Sequence, residues 1–441
     1  MGLPGLAYLT GIASPGWTAI GLAVGTWLNW LIVARRLRRY SANLDAITVP
    51  QFLSLRFHDQ RNLLNALGAV IIIVFFIPYT ASGFAACGKL FHSLFGVDYM
   101  IAMIVSALVI VGYTILGGFR AVTTTDLIQS VVMSIALVAV LAYGIGVAGG
   151  WGAVMENARS LSGYLTMAAS HDAAAGTAAS YSLLDIVSTM AWGLGYFGMP
   201  QVLLRFMGIR SEKELKLSRR VAIVWVVISM AAAVFIGIVG RSIAGLDYLS
   251  NSDAENIFVD AAIMFLPPVL AGFACAGVLA AAISSSDSYL LITASAVSQN
   301  LYRGIVKKDA TEKQVMWCSR ITLMLITLVA MAIAWNSNST IFGITAFAWA
   351  GFGAAFGPLM LFSLFWKRTT RAGAIAGMVA GGAMVFFWRG VLKPMGGVWG
   401  IYELLPAFLF SALVIVVVSL LTRRPSADMD SEFDRIKAGQ V

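Results

Sequence analysis

The apolar stretch Trp192-Gly193-Leu194-Gly195-Tyr196-Phe197-Gly198-Met199-Pro200 is interrupted by glycine and proline inside a segment long enough to cross a membrane. A second interruption, Met1-Gly2-Leu3-Pro4-Gly5, opens the chain. An unsatisfied backbone group is costly in a bilayer, so broken helices persist where they line a cavity or bind a solute. One break at the start of each half of the chain predicts the binding site of an inverted-repeat transporter. The alternative is a pair of kinks that neighbouring helices fill.

The composition indicates a polytopic membrane protein. Hydrophobic residues make up 59% of the 441 residues, charged residues make up 12%, and the mean hydropathy is +0.84, as expected for a chain of membrane helices. The net charge of +9 comes from Lys and Arg residues that collect in alternate loops, the pattern of basic loops kept in the cytoplasm. We therefore expect no nucleic-acid partner.

Apolar windows of about 20 residues predict an all-α chain with eleven spans after an N-terminal half-helix. The spans lie near 16–34, 62–83, 99–118, 124–147, 182–206, 219–243, 268–299, 314–335, 341–366, 372–389 and 402–422. Residues 1–422 then form the transmembrane domain and 423–441 a tail. Basic clusters at 35–39 and 205–220 share one side, which the positive-inside rule makes cytoplasmic together with the C-terminus. The loop at 148–180 is external.

The residues that would support enzyme chemistry or a metal cluster are scattered. The three His and three Cys residues show no CxxC or Cys/His spacing, and the cysteines lie in or beside spans, as core residues do. No GxxxxGK[ST] loop is present to hold nucleotide phosphates, which argues against an ATP-driven pump. We expect a protein that is not an enzyme and that draws its energy from an ion gradient.

The segment Gly277-Val278-Leu279-Ala280-Ala281-Ala282-Ile283-Ser284-Ser285-Ser286-Asp287-Ser288 offers ligands for Na+. A hard cation prefers oxygen, which membrane proteins supply as hydroxyls and as carbonyls freed at helix breaks. Ser284 and Ser285 carry hydroxyls, and the Ala281 carbonyl lies one turn earlier. Alternatively, these serines bond to their own helix or join neighbouring helices. Asp287 costs at least ~2.5 kcal/mol at this depth and should face a cavity or a partner.

Asp126, in the segment Thr123-Thr124-Thr125-Asp126-Leu127-Ile128-Gln129, stands at the cytoplasmic start of the span 124–147. A carboxylate at this position can cap the helix, where the helix dipole favours it. It can also attract Na+ that leaves toward the cytoplasm. The two roles are compatible.

Aromatic residues recur at the break in the middle of the chain. Trp192, Tyr196 and Pro200 follow at intervals of four and share a face if the segment is roughly helical. Aromatic faces there would attract the ammonium group of a small zwitterion, while freed backbone groups would bind its carboxylate. Tyr79, after Pro78 in another span, is a further candidate for the same cavity. The alternative is an aromatic belt at the membrane interface.

Several longer segments together resemble the sodium/solute symporter family. They are Tyr113–Val122 followed by Thr125-Asp126, Trp192–Pro200 continuing to Arg205-Phe206-Met207, Ala348–Pro358, and Trp366-Lys367-Arg368 leading to Arg371–Gly377. The resemblance covers essentially the whole chain and is strongest to the members that carry L-proline. It implies a core of five plus five helices in inverted repeats, with two helices appended after it.

The resemblance also implies roles for individual positions. It implies a Na+ wall formed by Ala281, Ser284 and Ser285, Na+ handling by Asp126, and substrate recognition by Trp192, Tyr196, Pro200, Tyr79, Gly2 and Pro4. Ser285 stands where the proline carriers have Thr, a change that keeps the hydroxyl. Gly2 and Pro4 match the second half of the family's first broken helix.

In the family, one helix and the first half of that broken helix come before the position of Met1, with further Na+ ligands. Residues 1–12 as a helix reach only ~18 Å against a hydrocarbon core of about 30 Å. We therefore expect the chain as given to be N-terminally incomplete, with the first helix and half of the first broken core helix missing.

The sequence thus predicts a multi-pass protein of a bacterial cytoplasmic (inner) membrane that imports L-proline, or a similar small zwitterion, by alternating access. Na+ is the predicted coupling ion, and the lipid bilayer is the surrounding partner. One alternative is a Na+ symporter for another amino acid or a carboxylate. Another is a solute-sensing membrane module without transport.

Overall fold

The computed structural model describes residues 1–336 and 340–439, except for the side chains of residues 118–121, 123 and 251. Part of the motif Tyr113–Val122 therefore lies outside the described side chains. Within the described residues, ten helices are long and apolar enough to span a membrane. They are Ala13–Asn43, Leu63–Phe95, Tyr99–Gly117, Thr124–Val147, Leu215–Ala244, Pro268–Val306, Glu312–Ile333, Ile341–Phe365, Arg371–Met395 and Leu404–Leu421. The prediction of a polytopic helical membrane protein is confirmed.

The first half of the chain is built from seven helices. They are α1 (Gly2–Thr10), α2 (Ala13–Leu28), α3 (Ala34–Asn43), α4 (Val49–Arg56), α5 (Leu63–Phe95), α6 (Tyr99–Val147) and α7 (Trp151–Ser160). A π-helical turn at Asn29–Val33 joins α2 to α3 within one span. α5 ends at Gly96, which adopts the left-handed conformation (φ 64°) that commonly terminates helices.

α6 is helical throughout its 49 residues but includes two candidate membrane spans, Tyr99–Gly117 and Thr124–Val147. A straight helix of 49 residues would be about 74 Å long, more than twice the thickness of a hydrocarbon core. Tyr113 and Asp126 would lie about 20 Å apart on such a helix. They instead hydrogen-bond to Asp287 and Ser284, one turn apart on a single partner helix. Side chains from both spans of α6 therefore meet the same turn of α13.

The region 148–180, predicted as a loop of an all-α protein, contains a small antiparallel hairpin in addition to α7. Strand β1 (Ala169–Asp172) pairs with β2 (Thr177–Ser180), with Ala169 opposite Ser180. Asp172 closes the turn by accepting hydrogen bonds from the backbone N–H groups of Ala174 and Ala175. Because turn chemistry sets this hairpin, and its strands lack the β-branched pattern of a typical sheet, the sequence did not reveal it.

The second half contains eleven further helices. They are α8 (Leu183–Met190), α9 (Pro200–Gly208), α10 (Leu215–Ala244), α11 (Asn251–Ala254), α12 (Ile257–Phe265), α13 (Pro268–Ser295), α14 (Glu312–Ile333), α15 (Ile341–Phe365), α16 (Arg371–Phe387), α17 (Leu404–Leu421) and α18 (Ala427–Ala438). A π-helical segment, Ala296–Val306, extends α13.

The predicted span 182–206 is not one continuous helix. α8 passes into a 3₁₀ segment at Ala191–Phe197, and α9 begins at Pro200. The interruption predicted from glycine and proline is therefore present, and it divides the span into two short helices. α15 packs beside it and is enclosed on nearly all sides, with 83% of its most apolar window buried. α15 is thus the central helix of the core and the natural support for the break.

The predicted tail 423–441 carries α18, which packs on the protein through Met429, Phe433 and Ile436. The Arg56 guanidinium lies 5.2 Å from the centre of the Phe433 ring. Lys367 donates to Asp434 at 2.6 Å. The apolar residues repeat every three to four positions, which places them on one helix face.

Candidate functional site

The break between α8 and α9 is held by side chains from two other helices. The Asn29 amide Nδ2 donates to the Tyr196 carbonyl at 2.9 Å. The indole Nε1 of Trp349, on α15, donates to the Trp192 carbonyl at 2.8 Å. Pro200 occupies the first turn of α9, where its fixed φ and missing N–H suit a helix start. Carbonyls freed by unwinding are therefore partly satisfied from outside the segment, as a bilayer requires.

Glycines permit an unusually close approach of α2 to this segment. A Cβ on Gly25 would lie 2.3 Å from the Gly193 carbonyl oxygen. On the other side, a Cβ on Gly195 would lie 1.9 Å from the Trp349 Nε1. Both distances are below any real contact, so the sequence Gly-Leu-Gly in the break reflects backbone packed against its supports.

The predicted substrate residues Trp192 and Tyr196 lie in an aromatic cluster. The Trp192 ring stacks on Tyr402 with centroids 4.9 Å apart and contacts Phe342 at 5.1 Å. The Tyr196 ring meets Trp349 edge-on at 5.0 Å. The predicted residue Gly2 joins the same region, because a Cβ built on it would lie 2.9 Å from the Cβ of Phe342. Each of these contacts comes from an element distant in sequence.

A cavity of about 360 Å³ lies next to this cluster, on the α13 side. Its lining includes four predicted site residues, Pro4, Tyr79, Ala281 and Ser285. Within the described part of the chain, Trp192, Tyr196 and Pro200 are not among the lining residues. The structure therefore gathers the predicted residues into two adjoining groups rather than around one space. A volume of this size is in the range of small-molecule sites.

Tyr289 also lines the cavity and was not among the predicted site residues. Its ring stacks on that of Tyr79 with centroids 4.2 Å apart. A signal existed in the sequence, because Ala281, Ser285 and Tyr289 recur at intervals of four and therefore share one face of α13. Thr345, on α15, adds a hydroxyl from the facing side.

The predicted Na+ residues Ser284 and Asp126 are in direct contact. The Ser284 hydroxyl donates to Asp126, which also accepts a hydrogen bond from Arg205 at 2.9 Å. Asp126 is nearly buried, with 14% of its side chain exposed, whereas Arg205 is 63% exposed. Asp126 thus links α6, α9 and α13, and the separation of 158 residues between Asp126 and Ser284 hides this contact from the sequence.

Asp287 is fully buried on α13. The Tyr113 hydroxyl donates to one carboxylate oxygen, and the other oxygen has no hydrogen-bond partner among the described residues. The expectation that Asp287 faces a cavity or a partner is met by Tyr113, which was not among the predicted site residues.

The donor set of this region suits a hard monovalent cation. Ala281 and Ser285 line the cavity, and the neighbouring Ser284 hydroxyl bonds to the Asp126 carboxylate. Among the described residues, no group of three or more His, Cys, Asp or Glu side chains is placed to hold a metal ion. Neutral oxygens with a single nearby carboxylate favour Na+ over transition metals, which prefer nitrogen and sulfur ligands.

Comparison with known proteins gives concordant matches. The model of the sodium:solute symporter family matches residues 1–381. A sodium/proline symporter of Staphylococcus aureus is 38% identical over 444 residues, which cover 99% of this chain and 85% of that protein. The fold is similar to that of a Na+-coupled sialic acid symporter in a substrate-bound outward-open state, with a TM-score of 0.71 and 16% identity over 96% of this chain and 90% of the other. Mhp1 in its inward-facing conformation matches with a TM-score of 0.55 and 14% identity over 99% and 91%.

Proposed function

The chain belongs to the sodium:solute symporter family, and from this premise we propose that it imports L-proline together with Na+ by alternating access. The observation that carries the proposal is the broken segment at residues 192–200, with its aromatic cluster beside a cavity bearing hydroxyls. The substrate follows from the 38% identity to a sodium/proline symporter over nearly the whole chain.

The aromatic residues are suited to a small zwitterion. The faces of Trp192, Tyr196 and Tyr79 would attract the ammonium group, an interaction of about 0.5–2 kcal/mol depending on desolvation. Backbone groups of the unwound segment would hold the carboxylate. Gly2 and Pro4 would close the cavity from α1, since Pro4 lines it and Gly2 packs on Phe342. Pro200 would act by starting α9 directly after the break.

The Na+ ion would bind to the face of α13 formed by the Ala281 carbonyl and the hydroxyls of Ser284 and Ser285. Asp126 would attract the ion as it enters and leaves this set of oxygens, because its carboxylate is already bonded to Ser284. Arg205 competes for the same carboxylate. A cation that arrives at Asp126 would weaken the bond that ties α9 to α6, which links ion position to the state of the broken helix.

The energy for accumulation would come from the Na+ gradient and the membrane potential. Moving one charge through 100 mV supplies ~2.3 kcal/mol, which concentrates a neutral solute roughly fiftyfold before the chemical gradient is counted. We place the protein in the bacterial cytoplasmic membrane with its C-terminus inside. The basic clusters at 35–39 and 205–220 support that orientation.

Uptake by the purified complete protein in proteoliposomes tests the proposal. Labelled L-proline should accumulate with an inward Na+ gradient and not in Na+-free buffer with an imposed proton gradient. Equal uptake in both conditions would refute Na+ coupling. Uptake of other labelled amino acids and carboxylates, measured with excess unlabelled proline, identifies the substrate. A transported solute that proline does not displace would refute the proline assignment. Proline binding without accumulation would indicate a solute sensor instead.

A further inference from the structure

Pro200 leaves the Tyr196 carbonyl without a donor, and the structure supplies one from another helix. In an α-helix the carbonyl of residue 196 would accept a hydrogen bond from the N–H of residue 200, but proline has no N–H. The Met199 N–H is already directed to the Gly195 carbonyl, at 3.1 Å. The Asn29 amide fills this gap at 2.9 Å. An amide inserted from the end of α2 therefore replaces the missing helical bond.

Asn29 is itself unusual for its position. It is fully buried between Leu28 and Trp30 on a membrane span, and its Oδ1 has no hydrogen-bond partner among the described residues. The amide must turn its nitrogen toward Tyr196, because a carbonyl can only accept. A half-satisfied amide costs stability relative to an apolar residue. The bond that it donates to Tyr196 is the contact that offsets this cost, and polar residues inside membrane spans commonly serve function.

Trp349 acts on the other end of the same segment. Its indole N–H bonds the Trp192 carbonyl at 2.8 Å, and its ring packs edge-on against Tyr196. Asn29 and Trp349 thus hold two carbonyls four residues apart, from α2 on one side and α15 on the other. The two carbonyls belong to the residues whose rings are expected to contact the substrate.

We propose that Asn29 and Trp349 are positioning residues that clamp the unwound segment and thereby set the geometry of the substrate site. This inference rests on the proposed function for its transport readout. Neither side chain needs to touch the substrate. The clamp fixes the carbonyls of Trp192 and Tyr196, and it leaves the Na+ oxygens of α13 unaltered. Loss of either donor should therefore weaken substrate binding without changing the Na+ requirement.

The first test measures half-saturating concentrations in proteoliposomes. Asn29→Leu should raise the half-saturating proline concentration about tenfold, the equivalent of one lost buried hydrogen bond. The half-saturating Na+ concentration at saturating proline should stay within about twofold of the parent. Asn65→Leu is the matched control, because Asn65 is a buried amide bonded to Asn300, away from the break. An equal proline effect in the control would overturn the inference.

A second pair of variants isolates the indole donor. Trp349→Phe removes the N–H and keeps most of the ring, and it should raise the half-saturating proline concentration roughly five- to tenfold. Trp388→Phe is its control, because the Trp388 Nε1 donates to the carbonyl of Trp399, at 3.1 Å. If both variants bind proline as the parent does, Trp349 is a packing residue and the clamp is rejected.

A suppressor experiment tests the reason that Asn29 is needed. Pro200→Ala restores a backbone N–H at position 200, which can bond the Tyr196 carbonyl within the helix. In the Pro200→Ala background, Asn29→Leu should change the proline half-saturation less than about threefold, compared with about tenfold in the parent. Undiminished loss in the double variant would show that Asn29 does not act through the Tyr196 carbonyl.

A measurement independent of substrate separates failure of the clamp from failure of the proposed function. A cysteine at Leu194, in a background with Cys87, Cys275 and Cys318 replaced by Ala, reports access to the break. Maleimide labelling should be at least about threefold faster in Asn29→Leu and Trp349→Phe, because the segment opens more often. If the parent chain does not carry proline, the proposed function fails, and the labelling rates still decide whether Asn29 and Trp349 hold the unwound segment closed. Unchanged labelling would reject the clamp whatever the substrate.

Discussion

The two walls of the site present oxygen in different ways. The α13 wall is a regular helix on which Ala281, Ser285 and Tyr289 face the cavity at intervals of one turn. The second wall, called here the unwound wall, is the adjoining segment Ala191–Phe197, which is not among the residues that line the cavity. Asn29 and Trp349 bond two of its carbonyls, those of Tyr196 and Trp192. On α13 the proposed ligands include side chains, and the helical backbone that carries them needs no support from other elements. In the unwound wall the backbone is the proposed binding element, and it depends on supports that are distant in sequence.

This difference predicts how each wall responds to substitution. A side-chain change on α13 should remove one ligand and leave the helix intact. A change near the unwound segment should alter backbone position and therefore affect folding or several contacts at once.

The largest effect is expected from Gly25→Ala, where α2 meets the unwound wall. The new Cβ would lie 2.3 Å from the Gly193 carbonyl oxygen and 2.4 Å from its Cα, so backbone must move. We expect little folded protein in the membrane and no measurable uptake, judged by size-exclusion profile and transport. Gly112→Ala is the control, because a Cβ at that position would have no neighbour within 4 Å among the described residues and alanine favours a helix by about 1 kcal/mol. A normal Gly25→Ala protein would remove the structural basis of the contrast.

The next effect is expected from Ser285→Ala on the α13 wall. Loss of one oxygen ligand should raise the half-saturating Na+ concentration about tenfold, with folded yield unchanged. Ser285→Thr keeps the hydroxyl and should remain near the parent. Ser363→Ala is a matched control, because that hydroxyl bonds to the Met360 carbonyl of its own helix. If Ser285→Ala titrates with Na+ as the parent does, the hydroxyl serves its own helix, as the alternative interpretation of the serines proposed.

The sequence predicted those features that depend on nearby residues. Hydropathy located the membrane helices, and the run of glycines before Pro200 located the break. The face shared by Ala281, Ser285 and Tyr289 was also readable, although Tyr289 was overlooked. These features follow from helical periodicity and from the conformational limits of proline.

The supports of the site could not be predicted in this way. Asn29 is 167 residues from Tyr196, and Trp349 is 157 residues from Trp192. No local pattern in a single sequence specifies such pairs, because tertiary packing decides them. Asn29 carries only a weak local signal, that of a polar residue inside an apolar span. For the same reason the sequence suggested one cavity for Trp192, Tyr196 and Tyr79, whereas of these three rings Tyr79 alone lines it.

A third prediction concerns the rings of the unwound wall. Tyr196→Ala should raise the half-saturating proline concentration roughly tenfold through loss of one aromatic face, with a smaller change in Na+ half-saturation. Tyr143→Ala, at an exposed position of α6, controls for loss of a tyrosine from a membrane span. Equal increases in the proline and Na+ values for Tyr196→Ala would mean that the two walls are not separable.

The smallest effect is expected at Asp126, which belongs to neither wall but bonds to Ser284. Asp126→Asn keeps the shape and the acceptor oxygen but removes the charge that attracts Na+. Because the Asp126 carboxylate already shares its charge with the exposed Arg205, we expect the half-saturating Na+ concentration to rise roughly threefold at low ionic strength. Added choline chloride should reduce the difference in half-saturating Na+ concentration between variant and parent. The reason is that 0.1 M salt screens charges over a distance of about 10 Å. A direct ligand would behave differently, because loss of a coordinating charge would persist at any ionic strength. The salt dependence of Asp126→Asn therefore decides whether Asp126 guides the ion or holds it, and a salt-independent loss would make Asp126 a direct Na+ ligand beside the hydroxyls of α13.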